Sequence, residues 1–299
     1  MNWEELHKRS LVVDLHTHPS LKAMLFHKNL GGKKTGFFAK LFEGAFWPLS
    51  ERATFPKLDK GGVDVILSTA YALEQGWIDD ITSIKWLLRI FSGMRKKVVD
   101  PTYFETTVAL LNEMEKQIAD YNKANLFTQA RKVKLATSIR ELKQGLKDND
   151  ICVIHSVEGA HSLQGHESGK TPADDILSDP QSVEEEVLSN LEHLYSRGVA
   201  YLGLAHFYPN KCVHPTFPYP DYGLKHLNWK EATGRWDTTL GLTDIGRKVV
   251  EKCLDLGILI DITHCTPVAR SEIYKIVKQN RKNSCIIASH AGCFSINRD

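Results

Sequence analysis

A parallel α/β fold of the (β/α)8 type, the TIM barrel, is what this sequence predicts, and three observations carry the prediction. Short apolar runs of strand type alternate with helical segments along most of the chain, as βαβ units require. Polar side chains stand at the C-terminal ends of those runs: His16 and His18 after LVVD, Glu158 after ICVIHSV, His206 after YLGLA, His264 after ILIDIT and His290 after CIIAS. Parallel barrels build their sites at that face. The length of 299 residues, 42% of them hydrophobic, suits a fold that needs about 250 residues, so one main domain over 1–299 is expected.

The elements follow in order. The first strand is expected at Leu11 to Asp14 and the second at Val63 to Ala70, introduced by Gly61 and Gly62. Between them, residues 20–60 hold KKTGFFAKLFEGAFWPL, a mixture of basic and aromatic residues, and are expected to form a long loop or short helices packed over the barrel mouth. Residues 71–125 read as mainly helical; after Pro101, TYFETTVALLNEMEKQIADYN repeats its apolar residues at helical spacing and is expected outside the barrel. Ser138 with Glu141 has capping-box spacing, and Ser182 with Glu185 repeats it ahead of VLSNLEHLYSR, which ends at Gly198. Thr266 and Pro267 supply an N-cap and first-turn pair for VARSEIYKIVKQ. Further strands are expected at 151–157, 199–205, 258–263 and 285–289, and the Pro- and aromatic-rich stretch 209–236 as an irregular loop. Six strands leave an eight-stranded barrel lacking its last strands at the C-terminus. Open sheet edges are avoided in natural proteins, so a completing C-terminal segment or a homo-oligomer is expected to supply what is missing.

Composition narrows the function classes. A formal net charge of +2, with Lys and Arg interleaved among Asp and Glu, argues against a nucleic-acid partner. The N-terminus MNWEELHKRS is polar, and no apolar run approaches the roughly 18 residues of a membrane span, so no membrane partner is expected. Six cysteines form no CxxC pair and several fall in apolar patterns, which suits buried thiols in a reducing, cytoplasmic setting.

The strand-end residues point to metal chemistry. Side chains two apart on a strand share a face, so His16 and His18 can present both imidazoles to one ion; alone, such a pair also occurs as solvated or structural histidines, and the four partners turn it toward ligation. Asp14 is either an outer acceptor that orients His16 or a polar strand end. Glu158 follows a buried strand, and a buried carboxylate is costly unless paired or metal-bound; it is read as bridging two cations, with Gly159 allowing a sharp turn beside it. His155 is read as a satisfied core residue, and His161 is left between a core and an outer-sphere role. His264 and His290 each offer one nitrogen to a second ion, a donor set zinc favours. Two ions would share a water, lower its pKa and polarise a carbonyl for attack. His206 could donate a hydrogen bond to the developing oxyanion, or be a loop histidine.

The strings VVDLHTHPSL, VIHSVEGAHSL, YLGLAHFYPNKCVHP, GLTDIGRKVVEKCLDLGILIDITHCTPVA and CIIASHAGCFSINRD resemble the successive motifs of the membrane (renal) dipeptidase family, zinc peptidase family M19 of the amidohydrolase superfamily. The resemblance implies a barrel of the metal-dependent hydrolase type with two Zn2+ per active site, cleaving dipeptides or related small amides. It implies that His16 and His18 hold the first zinc, Glu158 bridges, His264 and His290 hold the second, and Glu158 with His206 serve catalysis, His206 contacting the substrate. An Arg that grips the substrate carboxylate follows the last zinc histidine in that family, and Arg298 would take its place at a shorter spacing. Two departures stand out. The family has His-x-Asp where this chain has His16-Thr17-His18, and its catalytic Asp on the last barrel strand has no counterpart before Asp299. Two other readings stay open: a TatD-like phosphodiesterase or nuclease, and a noncatalytic metal-binding barrel subunit.

Overall fold

The computed structural model describes residues 2–32, 53–80, 92–166, 179–216, 229–230, 235–236, 239–280 and 284–291. In chain order the elements are α1 Trp3–Arg9, β1 Val13–Thr17, α2 Pro19–Phe26, α3 Phe55–Lys60, β2 Val65–Ala70, α4 Gln75–Asp80, α5 Ser92–Val98, α6 Tyr103–Ala124, β3 Val133–Leu135, α7 Ile139–Lys147, β4 Ile151–Glu158, α8 Pro180–Ser196, β5 Val199–Gly203, β6 Trp229–Lys230, β7 Arg235–Trp236, α9 Asp244–Leu256, β8 Leu259–Asp261, α10 Pro267–Gln279 and β9 Ile286–Ile287. This is the strand and helix alternation of a (β/α)8 barrel. Among the described residues it holds seven strands with parallel neighbours, β1 to β5, β8 and β9, beside the antiparallel pair β6 and β7. The chain divides into two compact units, Met1–Ala70 with Val108–Ser156 and Tyr71–Thr107 with Val157–Asp299.

In the first unit β1 runs parallel to β2, with Val13 beside Val65 and Thr17 beside Ser68 and a register irregularity between Asp14 and Thr17. The strand is therefore later than the expected Leu11 to Asp14 and contains His16. β2 neighbours β4, whose Cys152 N–H donates to the Asp64 carbonyl (2.8 Å), and β4 also pairs parallel with β3 from Val133↔Ile151 to Leu135↔Val153. β3 is absent from the sequence reading: three residues, preceded by Lys132 and with Lys134 at their centre, carry too little period-two pattern to be seen. A core of Leu30, Phe55, Leu58, Ile66, Met114, Ile118, Ile151 and Val153 joins α3 and α6 to these strands. Of the long 20–60 connection, the flanks are α2 and α3, and 33–52 lie outside the described residues.

In the second unit β5 pairs parallel with β8, Tyr201↔Leu259 to Gly203↔Asp261, and β8 with β9. The Gly159 N–H just past β4 donates to the Gly203 carbonyl (2.9 Å). α8 buries Val183, Val187, Leu191 and Leu194, one face of a helix. Its N-cap is Asp179, whose carboxylate accepts the Ser182 N–H at 3.0 Å. The expected Ser182–Glu185 box is displaced because Asp179 followed by Pro180 is a stronger start signal. The Ser138 and Thr266 caps stand where expected, accepting from Glu141 and Ala269 main-chain N–H groups. α9 approaches the loop before it so closely that a Cβ on Gly246 would lie 1.9 Å from the Cys212 carbonyl oxygen. Within the expected irregular stretch 209–236, β6 and β7 pair antiparallel, Trp229↔Trp236, while 217–228 and 231–234 lie outside the described residues.

One arginine ties the first unit's strand starts together. Arg131 donates to the carbonyls of Val63 (3.0 Å), Asn149 (2.9 Å) and Asp150 (3.2 Å) and to the Asp64 carboxylate (2.9 Å), and the other Asp64 oxygen accepts the Val12 N–H (2.9 Å). With its side chain only 14% exposed, it is more than a surface ion pair. Arg131→Ala is expected to lower stability by about 2–4 kcal/mol, read as a shift in the urea midpoint at constant slope, because it leaves carbonyls and a partly buried carboxylate unpaired. Arg131→Lys should recover only part of that loss, since an ammonium cannot reproduce the planar fork.

Candidate metal centre

Five of the predicted site residues belong to the second unit, four of them among the described residues, and three of those converge. Glu158 ends β4 with its side chain 5% exposed. Gly159 turns the chain at once, at φ +85°, a conformation a side chain would resist; a Cβ there would also fall 2.2 Å from the His161 ring. The Glu158 carboxylate lies 3.4 Å from His290 Nε2 and 3.6 Å from His264 Nε2 through Oε1, and 3.8 Å from His206 Nε2 through Oε2. His264 Nε2 and His290 Nε2 are themselves 3.0 Å apart, so Glu158, His264 and His290 form a three-donor group within 4.8 Å.

Local structure aims each ring differently. His264 sits in the turn after β8 at φ +64°, a left-handed conformation that costs a non-glycine residue about 1–3 kcal/mol. Strain of that kind persists where the surroundings over-determine it, and here it turns the ring toward Glu158. His290 is held through its neighbour: Ser289 Oγ donates to Asp261 Oδ2 (2.5 Å) and lies 2.8 Å from His290 Nδ1. A hydroxyl has one proton, and the carboxylate can only accept. The Ser289 oxygen therefore accepts from His290 Nδ1–H, which leaves the lone pair of Nε2 directed at Glu158 and His264. Asp261, 2% exposed, is fixed in turn by Thr263 N–H (3.0 Å), Thr263 Oγ1 (2.6 Å) and Ser289 N–H (3.2 Å).

His206 is anchored by a residue that sequence reading missed. Its Nδ1 lies 2.6 Å from Oε2 of Glu74, an acid 2% exposed four residues beyond β2. Burial pulls the imidazole below its usual pKa, but the carboxylates of Glu74 and, after it, Glu158 together more than offset this, so the net shift is upward. Burial raises the pKa of Glu74, but the same pairing, helped by His161 and the Tyr208 N–H, outweighs it and lowers the pKa from its usual value. Glu74 follows an apolar run just as Glu158 does, so the strand-end signal was present, weakened by the intervening Tyr71 to Leu73. His161 is a core residue: Nε2 contacts the Ala72 carbonyl at 2.8 Å, and burial lowers its pKa. His155, 1% exposed, is a core residue as expected and meets Glu115 at 3.2 Å through Nε2 in the first unit, but it is only half satisfied, since its buried Nδ1 has no hydrogen-bond partner among the described residues.

The first unit holds the other histidine pair. His16 Nε2 and His18 Nε2 are 2.9 Å apart, although His18 lies past the end of β1 as the residue before α2. His18 Nδ1 is 3.0 Å from the Thr69 carbonyl; a carbonyl only accepts, so Nδ1 carries the proton and Nε2 keeps its lone pair. Asp14 accepts the main-chain N–H of His16 (3.0 Å). Arg298 lies outside the described residues.

This donor chemistry fits a divalent metal. Lone-pair nitrogens 2.9–3.0 Å apart repel unless a proton or a cation lies between them, and two nitrogens held tetrahedrally on one zinc ion at about 2.0–2.1 Å would stand only slightly farther apart, at about 3.3–3.4 Å. A buried carboxylate among such nitrogens completes a set that zinc favours. Two thiols of the second unit are poor nucleophiles: burial pushes Cys212 and Cys265 up to about 12.

Comparison with known proteins agrees with this chemistry. Residues 181–298 match the family model for membrane dipeptidase, peptidase family M19, and that stretch contains His206, His264 and His290. No curated protein matches the chain. Among solved structures, the probable dipeptidase PvdM from Pseudomonas aeruginosa superposes with a TM-score of 0.61 at 17% identity, covering 96% of this chain and 54% of that one. The M19 metallopeptidase dipeptidase AC gives 0.54 at 16%, covering 89% and 60%. A metallopeptidase from Rhodobacter sphaeroides, solved with a phosphinate mimic of the dipeptide L-Ala-D-Ala, gives 0.53 at 15%, covering 89% and 62%. The chain thus spans 54–62% of the length of these three proteins, and at such identities the likeness is one of fold. Residues 181–298 are thus similar to the membrane dipeptidase family, peptidase family M19, and over most of its length the chain shares the fold of these solved dipeptidases.

Proposed function

We propose that this protein is a metal-dependent hydrolase that cleaves dipeptides or related small amides. The observation that carries the reading is the convergence of Glu158, His264 and His290, with nitrogen and oxygen donors 3.0–3.6 Å apart, at the C-terminal ends of parallel strands in a chain matched to a dipeptidase family. Zinc is the metal this donor set favours. Two ions per site are expected from the resemblance, His16 with His18 for one, His264 with His290 for the other, and Glu158 shared. A divalent ion so held supplies an acidified water and polarises the scissile carbonyl.

The chain's own residues do the rest. Glu158 accepts a proton or a metal contact at Oε1 from the side that His264 and His290 face. His206, held at Nδ1 by Glu74, presents Nε2 toward the reacting carbonyl and, in the doubly protonated form that the Glu74 carboxylate favours, donates from Nε2 to the oxygen as charge develops there. Arg298 is assigned to the carboxylate of a small peptide. A nearly neutral charge balance supports a small-molecule partner over nucleic acid. Among the described residues no helix is long and apolar enough to cross a membrane, and the free thiols there support a reducing compartment such as the cytoplasm.

Three measurements test the reading. Elemental analysis of protein purified without chelator should give about two zinc equivalents per chain, and Glu158→Gln should lose most of that metal with its helix and strand signals in circular dichroism unchanged. Full metal content in Glu158→Gln would remove Glu158 from the ligand set. Ser289→Ala, which frees His290 Nδ1, is expected to weaken zinc binding about 10–100-fold in competition with a chelator, and unchanged affinity would show that the Asp261–Ser289 link does not orient the ligand. Zinc-loaded protein should hydrolyse dipeptides such as L-Ala-D-Ala; turnover of a phosphodiester in their place would replace the peptidase reading with a phosphodiesterase one.

A further inference from the structure

We propose that Glu74 is a positioning residue for His206, fixing which ring nitrogen carries the proton and which faces Glu158. The two oxygens of Glu74 have separate tasks. Oε1 accepts the main-chain N–H groups of Tyr208 (2.9 Å) and Phe207 (3.3 Å), so the carboxylate holds the turn that follows His206. Oε2 accepts from His206 Nδ1 (2.6 Å) and from the Tyr71 hydroxyl (3.1 Å). A carboxylate oxygen holding a charge cannot donate, so Nδ1 must bear the proton. Nε2 is then the nitrogen left facing the Glu158 carboxylate, 3.8 Å away.

The ring's plane is fixed as well as its tautomer. Phe207 stacks on His206 with centroids 3.9 Å apart and planes at 25°, and Tyr71 packs against it at 4.4 Å. Both neighbours are themselves tied to Glu74, one through its main-chain N–H and the other through its hydroxyl. One buried carboxylate therefore sets the ring's proton, its partner ring and its turn. Outer carboxylates that hold a working imidazole in this manner are a recurrent device. The use made of His206 rests on the hydrolase reading above; the arrangement of hydrogen bonds does not.

Glu74→Gln separates these roles without changing volume. The two main-chain N–H groups at Oε1 require an acceptor, so the amide oxygen must stay there and the NH2 must take the place of Oε2. That NH2 donates to His206 Nδ1, which has to give up its proton, and the ring is forced into the Nε2–H form. The test is 15N NMR of histidine-labelled, zinc-loaded protein at alkaline pH, where the ring is neutral, with His206→Gln assigning the resonance. The wild-type ring should be in the Nδ1–H form and Glu74→Gln should convert it to Nε2–H, with zinc content unchanged and kcat on a dipeptide lowered about 10–100-fold. A wild-type ring in the Nε2–H form overturns the proposal even if the variant fails to fold. So does a folded variant whose tautomer is unchanged, or one whose tautomer converts while kcat and KM both hold. If neither protein hydrolyses a dipeptide, the hydrolase reading fails, and the two tautomers still decide whether Glu74 positions the ring.

Discussion

The second unit is organised around a carboxylate in the wrong solvent. Glu158 ends an eight-residue strand whose last four positions are buried, and its side chain is almost out of reach of water. An ionised carboxylate in such a place is unfavourable by several kcal/mol unless cations or strong donors face it. The neighbouring features read as consequences. Three imidazoles from three later segments face it, the chain leaves the strand through a left-handed glycine, and His264 accepts a left-handed backbone to bring its ring in. A leucine in place of Glu158 would relieve the burial problem and leave that strained turn without a reason to exist.

Much of this was legible in the sequence because strand-end placement is a local property. A parallel strand is a short apolar run, and the first polar residue after it lies at the C-terminal face whatever the rest of the chain does. That reasoning located Glu158, His206, His264 and His290, and it foresaw the sharp turn at Gly159. It also foresaw the caps at Ser138 and Thr266, since a cap needs only residues three positions apart. The N-terminus of α8 was misplaced by three residues because two adjacent start signals competed, and Asp179 with Pro180 won over Ser182.

What escaped the sequence depends on distance along the chain. β3 exists because Val133 to Leu135 can pair with β4, not because three residues have a pattern of their own. Arg131 looks like any surface arginine until the carbonyls of Val63, Asn149 and Asp150 are brought to it. Glu74 and His206 are 132 positions apart, and no periodicity connects them. The Asp261–Ser289–His290 chain spans two strands in the same way. Donor residues of a site can be read from strand ends, whereas the groups that orient them are assembled only by the fold.

Those orienting groups carry an electrostatic argument of their own. Glu74, Glu158 and Asp261 are each at most 4% exposed, and the partners described for them are imidazoles, hydroxyls and main-chain N–H groups. Hydroxyls and N–H groups stabilise a carboxylate without cancelling its charge. The carboxylates around His206, Glu74 first, raise its pKa, so it is placed to offset part of that negative charge. A residual negative charge in a buried site is what a divalent cation neutralises, and it does so best where lone pairs already point. The second unit therefore favours a cation on two independent grounds, the geometry of its nitrogens and the sign of its field.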